Sequence, residues 1–67
     1  MMTQSVEEEA RQVLARAVRD ACVQAALDGY EQAGMSGLCA EGRWEMAVDS
    51  MRSLDLTAVL SGAATKG

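Results

Sequence analysis

Between Val6 and Leu38, apolar and polar positions alternate with helical spacing, but the apolar stripe does not stay on one side. Projected at about 100° per residue, Val6, Ala10, Val13, Leu14, Ala17, Val18, Ala21 and Ala25 gather on one face. Glu8, Glu9, Gln12, Arg16 and Arg19 lie opposite. After Cys22 the apolar face moves nearly half-way round the cylinder, to Val23, Ala26, Leu27, Tyr30, Gly34, Gly37 and Leu38, with Gln24, Asp28, Glu31 and Gln32 across from it. A helix packed on one continuous core keeps one stripe. Two stripes call for a break near 22–24 or for one helix with two different neighbours. Neither glycine nor proline stands at 22–24 to force a break, so the sequence favours the continuous helix.

The elements follow from caps and glycines. The absence of proline and the abundance of alanine favour helix throughout, and no alternating β-branched run suggests a strand. Ser5-Val6-Glu7-Glu8 reads as a capping box that opens a long helix, with Glu7, Glu8 and Glu9 at its positive end. That helix is expected over 5–41, with a bend or break at 22–24 or among the glycines of 34–37. Gly42 is expected to reverse the chain, a second helix to fill 43–53, and Asp55 to cap a short turn over 56–61, leaving 62–67 as a frayed tail. The predicted fold is all-α: a long N-terminal helix, an antiparallel hairpin and a short C-terminal helical turn in one small domain.

The hairpin core is expected from two matching stripes. Trp44, Ala47, Val48, Met51 and Leu54 fall at the spacing of one buried helix face. Val23, Leu27, Tyr30 and Leu38 of the first helix are expected to meet them, with Gly34 and Gly37 leaving room for Trp44. The earlier stripe, Val6 to Ala25, has no mate of comparable length, because only Leu56, Val59 and Leu60 remain. An uncovered apolar stripe marks an interface, and a homodimer or a partner protein's helix is expected to cover it.

Composition narrows the chemistry. A chain of 67 residues holds one small core, which commonly needs a disulfide, a metal or a partner for support. Met1 to Ser5 carries neither a basic cluster nor an apolar run, so a secretory route is not expected. Cys22 and Cys39 are therefore expected as free, buried thiols in a reducing cytoplasm. No histidine is present, which removes the usual general base and the commonest metal ligand. Two cysteines without close spacing do not make a zinc site, and no metal or other cofactor is expected.

Six Lys+Arg against ten Asp+Glu give a net charge of −4, which disfavours phosphate binding, so no nucleic-acid partner is expected. No apolar run is long enough for a membrane span. Cys39, close to Arg43, is the one candidate nucleophile, but nothing nearby in sequence activates it. The carboxylate pairs Glu41 with Glu45 and Glu45 with Asp49 have helical i, i+4 spacing and read as a solvated face. Arg11 and Arg16 have acidic partners at the same spacing in Glu7 and Asp20.

Gly37 to Ala47 resembles the turn of a tetratricopeptide repeat, which places a glycine at the turn, an aromatic two positions later and an alanine three after that. Gly42, Trp44 and Ala47 match. One repeat at most is covered, no proline closes it, and Leu54-Asp55-Leu56 is out of phase by about one residue; the resemblance implies a helical hairpin. The same stretch, with Ser53 to Leu56, also resembles small bacterial proteins loosely labelled acetyltransferase. That likeness implies a bacterial source, although no strand or phosphate-binding loop of the kind coenzyme A chemistry needs is legible.

These patterns favour a non-enzymatic interaction protein, an accessory subunit or adaptor acting through the first stripe. The alternative is a small acidic inhibitor, for example phage-encoded, that occupies a basic nucleic-acid-binding site of its target.

Overall fold

The computed structural model describes the backbone of residues 2–66 and the side chains of residues 6–62. Three helices follow one another: α1 (Met2–Met35), α2 (Ala40–Arg52) and α3 (Leu56–Lys66). The chain is all-α. Helix α1 runs unbroken through 22–24, as expected from the absence of a breaker there. It starts three residues ahead of Ser5, so Ser5 is a helical residue and not the N-cap; its side chain lies outside the described residues.

The residues cluster into two compact units, Met1–Asp20 with Asp55–Gly67, and Ala21–Leu54. In the second unit, the C-terminal part of α1 and α2 form the expected hairpin, but the reversal falls at Gly37 and not at Gly42. Gly37 has φ +86, the left-handed conformation in which a Cβ is strained. Around it the backbone N–H of Gly37 donates to Gly34 O and that of Leu38 to Ala33 O, both at 3.0 Å. This is a Schellman motif, which pairs carbonyls that a helix end otherwise leaves without partners. Gly42 lies within the first turn of α2. Starting α2 at Ala40 also places Cys39 at its N-cap.

The hairpin closes on its smallest residues. Gly29, Ala33 and Ala47 are buried, and Cys22, Ala25, Ala26, Gly34, Arg43, Ser50, Met51 and Leu54 are half-buried. A Cβ added at Gly29 would collide with Ser50 Oγ and stand 3.0 Å from the backbone oxygen of Met46, so Gly29 marks the close approach of the two helices. Ser50 Oγ donates to Met46 O within its own helix at 2.8 Å, which satisfies the hydroxyl at this crowded point.

The expected core is therefore corrected. Val23 (52% exposed), Leu27 (58%), Tyr30, Leu38 and Trp44 (63%) lie on the surface, Ala47 is buried as expected, and Val48, Met51 and Leu54 are half-buried. Alanine and glycine let the helix axes approach, whereas a tryptophan in the seam would hold them apart. The space beside Gly34 takes Arg43 and not Trp44: a Cβ there would lie 2.9 Å from Arg43 Cζ. Arg43 Nε donates to Leu38 O at 3.3 Å and its Cζ stands 5.6 Å from the Tyr30 ring centroid. One guanidinium thus joins the end of α1, the turn and the start of α2.

In the first unit, Asp55 Oδ1 accepts the backbone N–H of Ala58 at 3.2 Å, capping α3 as expected. Helix α3 continues to Lys66, beyond the expected 56–61, and takes in most of the expected tail; Gly67 lies outside the described residues. Leu14, Ala17 and Val18 on α1 and Val59 on α3 are half-buried, while Leu56 and Leu60 stay exposed. Glu7 and Arg11 pair at 4.0 Å, as their spacing suggested, whereas Asp20 pairs with Arg19 at 3.1 Å in place of Arg16. Both pairs are largely exposed and contribute a few tenths of a kcal/mol at most.

Two glycine substitutions separate the constraints on the hairpin. Gly37→Ala should lower stability by about 1 kcal/mol through backbone conformation alone, because nothing lies within 4 Å of the added Cβ. Gly29→Ala should lower it by about 1–3 kcal/mol through overpacking against Ser50 and Met46. Urea unfolding followed by circular dichroism measures both. A neutral Gly29→Ala would mean that the helices are not closely apposed there.

Candidate interaction surface

In the hairpin, small residues fill the seam and large apolar side chains lie outside it; large apolar residues of the other unit are exposed as well. Val6, Val13, Val23, Leu27, Tyr30 and Met35 on α1 are exposed, as are Leu38 in the turn, Trp44 and Met46 on α2, and Leu56 and Leu60 on α3. Among the described residues no large side chain is fully buried, and Ala33 (3% exposed) and Ala47 (4%) make up the buried apolar core. The stripe expected as an interface divides: Val6, Ala10 and Val13 are exposed, while Leu14, Ala17, Val18, Ala21 and Ala25 are half-buried. On α3, Val59 is half-buried while Leu56 and Leu60 are exposed, although the helix is longer than the expected short turn.

Helix α2 carries the most differentiated surface. Trp44, Glu45, Val48, Asp49 and Arg52 line a shallow groove along it, with an aromatic at one end, an aliphatic in the middle and a cation at the other. Glu41, Glu45 and Asp49 follow one another at i, i+4, i+8 and are exposed. Among the described residues none of these acids forms an ion pair, and neither does Arg52. A second shallow groove on α1 is lined by Glu8, Arg11, Gln12 and Ala15 and has no aromatic anchor.

Cys22 is half-buried and Cys39 exposed, and both are free. The expectation that Cys39 is buried is corrected by its N-cap position, which turns its side chain away from the seam. With φ −74 and ψ 173 its backbone is extended, and its side chain makes no capping hydrogen bond of ordinary length. The thiol is nonetheless held below its ordinary value, chiefly by the backbone N–H of Gly42 and then that of Glu41; partial desolvation and the charge of Glu45 oppose the shift. Unpaired N–H groups at a helix start favour the thiolate without any histidine.

Among the described residues no group of three or more His, Cys, Asp or Glu side chains could hold a metal ion, and no helix is long and apolar enough to cross a membrane. No protein family, curated protein or solved structure matches this chain. The reading of the surface therefore rests on its own residues.

The sequence marks Arg43 only as a cation near Cys39 and gives no sign of its place in the turn, since an arginine in an amphipathic helix looks like any solvated cation. What marks Arg43 is the space beside Gly34, nine positions upstream.

The Cys39 geometry has a measurable consequence. Because its thiol is lowered, the thiolate is populated at a lower pH than in a free cysteine. Iodoacetamide labelling of Cys39 should therefore rise with pH through a midpoint below that of a model thiol. Cys22, half-buried, should label more slowly at every pH. Peptide mapping of the alkylated protein distinguishes the two, and equal rates would contradict the placement of Cys39 at the surface.

Proposed function

We propose that this chain is a non-enzymatic helical interaction protein, an accessory subunit or adaptor that presents apolar side chains, those of α1 first among them, to a partner helix. The observation that supports this reading is the inversion of size between inside and outside. Glycine and alanines close the hairpin, while Val23, Leu27, Tyr30 and Trp44 of the same unit face solvent. Burying such side chains is worth roughly 1.5–3 kcal/mol each, and a chain of this size has few other sources of stability. A partner that covers them supplies what the isolated chain leaves unused. Contiguous exposed apolar surface in a small domain is a common mark of an interface.

Catalysis has no part in this reading. The chain holds no histidine, and Cys39 stands exposed at a helix start, where the charge of Glu45 opposes its thiolate. The accessible aromatic and aliphatic groups are suited to packing, and the charges around them to selecting a partner.

Affinity purification from the native host, followed by native mass spectrometry, tests the proposal. The expected result is an assembly of fixed stoichiometry containing either further copies of this chain or another protein. Val13→Glu and Leu27→Glu should each leave the helicity of the unassociated chain within about 10% of the original, since both positions are exposed surface sites. Each should weaken the assembly where its face is used. A chain recovered only as a free, well-folded monomer would overturn the reading.

A further inference from the structure

We infer that α2 pairs antiparallel with α2 of a second copy of this chain, along the groove between Trp44 and Arg52; this rests on reading the chain as an interaction protein. Charge and position along α2 both favour this pairing. A twofold axis passing through two antiparallel helices at Val48 sets each residue opposite the one equally far on the other side of the axis. Val48 then meets Val48, and Trp44 meets Arg52, because each lies four positions from the centre. The guanidinium of Arg52 reaches the face of the opposing indole and, one position along, the carboxylate of Glu45. The Trp44–Arg52 and Glu45–Arg52 contacts each occur twice, and the Val48 contact once on the axis.

The side chains are free to do this. Trp44 is 63% exposed, and Glu45, Asp49 and Arg52 are exposed with no ion pair among the described residues. An i, i+7 separation keeps Glu45 and Arg52 of one helix about 10 Å apart along its axis, too far to satisfy each other. The groove therefore holds acceptor and donor at opposite ends of an aliphatic centre. A uniformly basic helix would complement Glu45 and Asp49 but oppose Arg52, and an acidic one would do the reverse. A second copy sets an opposite charge against both Glu45 and Arg52. Within the groove the repulsive element is Asp49, adjacent to the axis, whose two carboxylates approach each other at the rim, and Glu41 at the start of α2 adds a further acid outside it; Arg52, one turn from Asp49 on the same helix, lies close enough to moderate the first.

Charge reversal tests the pairing. Sedimentation equilibrium of the full chain should give the mass of two copies at micromolar concentration. Glu45→Arg or Arg52→Glu alone sets like charges against each other twice per dimer and should weaken association about ten-fold or more. The double variant E45R/R52E exchanges the two signs and should restore association to within about three-fold of the original. Rescue separates the proposal from simple damage to α2, because the two side chains do not meet within one helix. Circular dichroism and the milder variants E45Q and R52Q control for folding, and both should weaken association less than the reversals.

A monomeric wild-type chain, single reversals without effect, or a double variant no better than the singles would each overturn the pairing. If the chain is monomeric yet recovered from its host with another protein in fixed ratio, the pairing falls and the interaction reading stands.

Discussion

The close approach of α1 and α2 at Gly29 is the constraint from which the second unit's surface follows. No side chain separates the helices at that point, and Ser50 and the Met46 carbonyl occupy the space a Cβ would need. Ala33 and Ala47 continue the same line of small residues. A helix has limited circumference, so a face given to small residues turns its larger neighbours outward. The exposure of Val23, Leu27 and Tyr30 is thus a result of the packing and not a failure of it. The hydrophobic gain within the seam is small, since alanine and glycine remove little apolar area from water. What the seam gains is proximity, which improves dispersion contact and fixes the helix register.

Two polar devices reinforce that register. Gly37 ends α1 in a left-handed residue and returns two carbonyls to hydrogen bonding within the turn. Arg43 then spans Gly34, the Leu38 carbonyl and the Tyr30 ring. A lysine at 43 could not reproduce this, because a compact ammonium lacks the broad, delocalised head that reaches the glycine, the carbonyl and the ring together. The hairpin is held at its closed end by directional contacts and along its length by small-residue packing. Its outer surfaces are left to the large apolar groups.

Much of this fold is legible in the sequence. The helical class, the continuity of α1 through 22–24, the Asp55 cap and the Glu7–Arg11 pair follow from local rules that act over four residues or fewer. The turn and the core do not. Gly34, Gly37 and Gly42 are equally available to a chain reversal, and only the tertiary fit decides that Gly37 takes the positive φ. Moving the reversal from 42 to 37 lengthens α2 at its start and lets Ala47 lead its buried face in place of Trp44. On α1, a line of small residues and a line of large ones both repeat with helical spacing. Periodicity weights the large ones by hydrophobicity, whereas the close helix contact selects the small ones. The length of α3 was hidden for a related reason: Gly62 and its small neighbours resemble a frayed end, yet the helix continues to Lys66.

The surface account turns on Trp44, the one tryptophan in the chain and so a reporter of its own environment. In the isolated chain it is exposed, and the proposed pairing of α2 with a second copy would cover it. Acrylamide quenching of its fluorescence, measured from nanomolar to tens of micromolar protein, tests both halves at once. The predicted result is strong quenching at high dilution that falls as concentration rises, with half of the change at the dissociation constant found by sedimentation. Weak quenching at every dilution would place Trp44 inside the hairpin core, and strong quenching at every concentration would leave its face uncovered by a second copy; either contradicts the account.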